Sequence, residues 1–140
     1  MKTVLTYSSE ETINLGETII KELPNEINVI LLDGDLSAGK TTLTKGIGKA
    51  LGVKDIINSP TFTILKTYYG EKTLHHLDLY RLEDIGSDYD LYEYIDDKDS
   101  IVVIEWPNQV KELLPKKYML IEINHIDLNT REFKISVKGI

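Results

Sequence analysis

The sequence contains no cysteine. Neither a disulfide nor a thiolate-bound metal can therefore form, although this alone does not fix the compartment. Long apolar runs are also missing: none approaches the ~18 residues of a membrane span. The opening "MKTVLTYSSEE" carries a lysine but no apolar core behind it, so it does not read as a secretory signal. The expectation is a cytoplasmic protein with no membrane association. Arginine is nearly absent as well, at Arg81 and Arg131 only. The formal net charge is −7 with a pI near 4.9. Such a chain should not cling to phosphate backbones, so any nucleic-acid role would run through a partner. What is present is ordinary: 140 residues, 41% apolar and 28% charged, suit one domain over 1–140 with one core.

The periodicities predict a mixed α/β sheet flanked by helices. Ser8 to Leu23 reads as a first helix, with Ser8 and Glu11 placed as a capping box and Pro24-Asn25 as its stop. Asn28 to Asp33 is a continuously apolar strand, as burial on both faces requires. Thr41 to Leu51 is helical and Gly52 ends it. Two β-rich runs, Phe62 to Tyr69 and Thr73 to Tyr80, flank Gly70-Glu71-Lys72 as a hairpin. Residues 83–99 are acidic and contain a short helix, Tyr89 to Ile95. Ile101 to Glu105 is a further apolar strand, and Asn108 to Leu114 a short helix closed by Pro115. Tyr118 to Ile123 and Glu132 to Val137 form an antiparallel pair around "DLNT". Strand–helix alternation early and hairpins later define the class.

"GDLSAGKT", residues 34–41, matches G-x-x-x-x-G-K-[ST] at every fixed position. By average residue frequencies roughly one chain of this size in two hundred would match by chance. The context adds weight, because a buried strand precedes the match and a helix follows it. The spacing has a physical reason. Gly34 leaves the strand on a sharp turn, and Gly39 lets backbone approach an anion without a Cβ in the way. The amides between them form an anion nest, and the following helix presents its positive end. Lys40 would reach the β- and γ-phosphates, and Thr41 would ligate Mg²⁺. The competing reading is a glycine-rich turn with Lys40 solvated. Thr42, Lys45 and Lys49 read as ordinary helix-surface positions.

A nucleotide triphosphatase also needs an acid near its metal and a group to orient water. Glu105 ends an apolar strand, where open α/β sheets bind ligands. A solvated strand-terminal Glu is the alternative. Asp78 interrupts the alternation of "LHHLDLY", where Asp is disfavoured, or else serves as an edge-strand charge. His75 and His76 face opposite sides of their strand, so no histidine metal site is expected. Ser59, Thr61 and Thr63 of "NSPTFTI" stand where a γ-phosphate-sensing loop often lies, or simply open a strand. Trp106 follows Glu105; a lone Trp is usually packing.

Three classes fit a phosphate loop: a partner-dependent ATPase, a small kinase acting on a metabolite or nucleotide, and a GTPase. A kinase usually clamps its substrates with several arginines in a lid. A GTPase needs a guanine-reading N-K-x-D segment, which neither "NTREF" nor "NHID" supplies. An ATPase with few arginines can borrow one from a partner.

Taken together, "GDLSAGKTT", "SPTFTI", "HLDLYRL" and "IEWP" occur in the order and at separations similar to those of the TsaE family, and the resemblance runs from "SSEETINLGE" to "REFKISV". That family is the ATPase component of bacterial tRNA threonylcarbamoyladenosine biosynthesis. The resemblance implies slow hydrolysis of ATP with Mg²⁺ within a complex of partners resembling TsaD and TsaB, which modify the adenosine beside the anticodon. The chain would not itself be the transferase, and would reach tRNA through the complex. At matching positions the resemblance implies that Leu36, Ser37, Ala38, Gly39, Lys40 and Thr41 contact phosphates. Thr41 and Glu105 would serve Mg²⁺, and Asp78 hydrolysis. Ser59 and Thr61 would belong to a switch-like loop, and Trp106 would lie near the nucleotide. Ser9 and Arg131 match positions that contact nucleotide, where a guanidinium plane can stack on adenine. Ser37 stands where the family often has Gly, a substitution that a variable position tolerates. The acidic stretch 83–99, with Tyr89, Tyr92 and Tyr94, is a candidate partner surface.

Overall fold

A computed structural model describes residues 1–34, 39–57, 65–79, 91–105 and 114–139. The first helix, α1 (Ser9–Glu22), starts where its cap chemistry dictates: Glu11 N donates to Ser8 Oγ at 3.1 Å. The return bond of the capping box is displaced by one residue, because the Glu11 carboxylate accepts from Tyr7 N at 3.2 Å rather than from Ser8. The remaining elements follow as β2 (Val29–Gly34), α2 (Lys40–Ala50), β3 (Leu65–Tyr68), β4 (Thr73–Asp78), α3 (Leu91–Ile95), β5 (Ser100–Glu105), β6 (Tyr118–His125) and β7 (Arg131–Lys138). The expected helix Asn108 to Leu114, all but its last residue, lies outside the described residues, as do the outer ends of the 62–80 hairpin and the start of the helix expected at Tyr89.

One strand, β1 (Lys2–Thr6), is not foreseen by the periodicity of its five residues. It pairs antiparallel with β7 at the sheet edge, with Leu5 exposed and Val4 half-buried, so neither alternation nor a continuous apolar run marks it. The seven strands lie in the order β1-β7-β6-β2-β5-β4-β3. β6, β2, β5 and β4 run parallel, while β7 and β3 are antiparallel to their neighbours. All four parallel strands therefore end along one edge. There the register sets Leu32 beside Glu105 and Asp78 on the other side of Glu105. Asp78 is thus on an interior strand, not an edge strand.

Both sheet faces are covered, which explains the unbroken apolar runs of β2 and β5. Ile30, Leu32, Val103 and Leu74 pack with Leu15, Ile19, Leu43 and Ile47 of α1 and α2. Val29, Leu31, Val102, Ile104 and Leu77 pack on the other face with Ile95 of α3. On that second face His75 is held by Thr67 Oγ1 at Nδ1 (2.9 Å) and by Asp97 at Nε2 (3.2 Å), with Tyr94 edge-on to the ring. The bond from His75 holds the Asp97 carboxyl below its ordinary range. His76 points to the first face, as strand alternation requires.

Glycine brings the two long helices together. A methyl group on Gly16 would sit 2.5 Å from the Leu43 carbonyl oxygen, and one on Gly46 would run into the Ile13 carbonyl. Backbone cannot yield as a flexible side chain would. Gly46→Ala is therefore expected to destabilise the protein by about 1–3 kcal/mol, as overpacking of a tight contact does. Urea unfolding would show a lower midpoint with an unchanged slope. Exposed Lys45→Ala on the same helix should stay within about 0.5 kcal/mol of wild type. Equal stabilities would mean that the helices part without cost.

Candidate functional site

Gly34 ends β2 and Gly39 opens α2. Gly39 has φ 101°, a left-handed conformation that residues with side chains rarely adopt. Leu36, Ser37 and Ala38 lie outside the described residues, as do Ser59, Thr61, Thr63 and Trp106. The two helix starts differ in kind. The first turn of α1 contains Glu10 and Glu11 and is capped by Ser8. The first turn of α2 contains no acidic residue, and its N-cap, Gly39, makes no side-chain cap bond. The positive end of α2 is thus left uncompensated by its own side chains.

Lys40 is not solvated. Its side chain is 3% exposed, and Nζ donates to the Gly34 carbonyl at 2.9 Å. Glu105 Oε1 lies 4.0 Å from that ammonium, and the Glu105 side chain is also 3% exposed. Burial overturns the solvated alternatives for both residues. Glu105 sits on β5 between β2 and β4, with neighbours on both sides. Asp78 is half-buried next to it, and Thr41 is half-buried in the first turn of α2. Gly34, Gly39 and Lys40 of the G-x-x-x-x-G-K-[ST] sequence thus meet two carboxylates, Glu105 and Asp78, at the ends of the parallel strands.

Arg131 joins this group from a distance in sequence. It begins β7, two strands away from β2, and its side chain packs against Gly39. Its Nε is buried without a hydrogen-bond partner among the described residues. Ser9 is the exposed first residue of α1. Ile13 faces Gly46 and Glu17 pairs with Lys49 at 3.0 Å, so α1 and α2 run the same way. Ser9 therefore sits at the same end as Lys40.

One residue the sequence reasoning passed over is His76. It is fully buried, and its Nε2 lies 2.6 Å from Glu105 Oε2. The available signal was parity: His76 is two residues before Asp78 and so shares its face.

Fold and site together define a mixed α/β protein whose candidate site lies where a G-x-x-x-x-G-K-[ST] sequence joins a central parallel strand to a helix. The chain belongs to the TsaE family: a family model described as "Threonylcarbamoyl adenosine biosynthesis protein TsaE" matches residues 6–133. It is 42% identical to the tRNA threonylcarbamoyladenosine biosynthesis protein TsaE of Bacillus subtilis strain 168 over 113 residues, 80% of this chain and 71% of the relative. It is 36% identical to the TsaE of Treponema pallidum strain Nichols over 135 residues, 92% of this chain and 96% of the relative. The fold resembles the crystal structure of Bacillus subtilis YdiB, with a TM-score of 0.80 and 30% identity, covering 99% of this chain and 86% of that one. Among the described residues no helix is long and apolar enough to cross a membrane.

Proposed function

We propose that the chain binds ATP with Mg²⁺ and hydrolyses it slowly, as the accessory ATPase of the assembly that makes threonylcarbamoyladenosine in tRNA. The observation that carries this reading is the buried Lys40–Glu105 pair at the start of α2, 4.0 Å apart. Two opposite charges are costly to bury. Placing them beside an uncompensated helix N-terminus makes sense when a polyanion and a cation come to occupy the space.

The residues fit that ligand. A Cβ at 39 would collide with the Arg131 side chain, whose Nε is buried without a hydrogen-bond partner among the described residues and is available to a ligand. Among the described residues no group of three or more His, Asp or Glu side chains could hold a metal. Mg²⁺ needs no such group, because it is commonly held by one or two carboxylates with phosphate oxygens and water. When bound, ATP supplies the γ-phosphoryl group and Mg²⁺ the charge that stabilises its transfer to water.

The chain's own groups do the rest. Residues 36–41 would contact phosphate oxygens, as the family resemblance implies, with the Lys40 ammonium exchanging the Gly34 carbonyl for the β- and γ-phosphates. Thr41 and Glu105 would hold the cation. Asp78 orients water. Arg131 presents its guanidinium plane to the base, with Ser9 at the same end of the helix pair. Ser59, Thr61 and Trp106 contribute as the family resemblance implies.

With two arginines in the chain, completion of the site by a partner, for example through an arginine, fits this reading. Proteins resembling TsaD and TsaB are the proposed partners. A chain of net charge −7 reaches tRNA through them rather than by gripping it alone. Phosphate release by the isolated chain should be slow and should rise when both partners and tRNA are added. Fast release by the chain alone, or phosphoryl transfer to a small acceptor, would replace this reading with that of a small kinase.

A further inference from the structure

We propose that His76 is a positioning residue that aims Glu105 at the cation; the inference rests on the ATP–Mg²⁺ reading of the site. A carboxylate can only accept hydrogen bonds, so His76 Nε2 carries the proton it shares with Glu105 Oε2 at 2.6 Å. The terminal torsion of a glutamate is broad and two-fold, so without such a bond its two oxygens are interchangeable. The bond removes that freedom. It ties Oε2 to an imidazole that is fully buried in β4, an interior strand. Oε1 is left as the oxygen facing Lys40, 4.0 Å away. The carboxylate edge toward the phosphate loop is thus chosen by a residue 29 positions earlier in the chain.

A packing role alone does not account for this histidine. The other ring nitrogen, Nδ1, is buried with no hydrogen-bond partner among the described residues. An orphaned polar atom carries a desolvation penalty that an apolar ring of similar size would avoid. What the position gains in return is the N–H directed at Glu105. Hydrogen-bonding supports of this kind behind metal ligands typically change metal affinity 10- to 100-fold when removed.

The test uses calorimetric binding of a non-hydrolysable ATP analogue, first in EDTA and then across a Mg²⁺ series. His76→Phe keeps the ring volume and loses the donor. His76→Asn keeps an amide but is too short to place it at Nε2. His76→Gln puts an amide N–H close to where Nε2 stood. Phe and Asn should leave binding in EDTA unchanged and raise the Mg²⁺ concentration at half-saturation about 10- to 100-fold. Gln should bring most of that loss back. An unchanged Mg²⁺ midpoint in whichever of Phe or Asn folds would overturn the proposal, as would failure of Gln to rescue. Wild-type binding that ignores Mg²⁺ would remove the roles of Glu105 and His76 while leaving the phosphate loop standing. No binding by the wild-type chain would remove the ATP reading itself.

Discussion

Lys40→Ala should lower ATP hydrolysis at least ~100-fold, the scale seen when one pre-organised charge contact to a transition state is removed. The ammonium is already ordered beside Glu105 before any ligand arrives, and on binding it exchanges the Gly34 carbonyl for phosphate oxygens. It is 3% exposed, bonded to the Gly34 carbonyl and 4.0 Å from Glu105, so little rotamer entropy remains to be lost on binding. Alanine also leaves Glu105 as a buried carboxylate short of one cation. Breaking a buried ion pair costs roughly 3–5 kcal/mol. The loss here should fall below that range, because the pair is long and His76 still bonds the carboxylate. Reduced turnover could then be blamed on a weakened fold, and a second variant separates the two effects. Lys40→Ala with Glu105→Gln removes both charges, keeps an acceptor for His76, and should recover most of the thermal stability. Its phosphate release should stay at the Lys40→Ala level or lower. Wild-type turnover in Lys40→Ala would remove the phosphate-loop assignment.

The features legible in the sequence are those whose physics is local. The G-x-x-x-x-G-K-[ST] spacing marks the junction of β2 with α2, and β2 and β5 announce themselves because burial on both faces forces unbroken apolar runs. The stop of α1 and the 127–130 turn between β6 and β7 follow from Pro24 and from Asp127, whose carboxylate accepts from Asn129 N and Thr130 N. Those amide bonds also hold the Asp127 carboxyl below its ordinary range. The features that were not legible depend on strand order. The face of His76 could be read, but its partner could not, because only the parallel pairing of β4 with β5 brings Glu105 alongside. Whether Glu105 was solvated could not be decided from "IVVIE", since the answer lies in its two neighbouring strands. The contact of Arg131 with Gly39 likewise requires β6 beside β2 and β7 beside β6. β1 stayed hidden because an exposed edge strand carries almost no pattern of its own.

That contact between Arg131 and Gly39 makes position 39 intolerant of a side chain. Gly39→Val should abolish measurable ATP binding, and the reasons can be separated by substitution. The backbone at φ 101° disfavours any side chain, a penalty of roughly 1–2 kcal/mol for an ordinary residue. A Cβ there would also meet Arg131 Cδ at 2.7 Å and Nε at 2.9 Å. The Cβ would further stand in the way of the close approach that a phosphate needs. Gly39→Asn relieves part of the first penalty, since Asn tolerates left-handed backbone, but keeps the second and third. Gly39→Ala combined with Arg131→Ala relieves only the second. If close approach of the backbone to the anion is what matters, neither variant regains ATP binding, although both should melt above Gly39→Val. If Gly39→Ala/Arg131→Ala bound ATP as tightly as Arg131→Ala alone, the glycine would be there to seat an arginine. The anion would then have to be held elsewhere than against the backbone of Gly39.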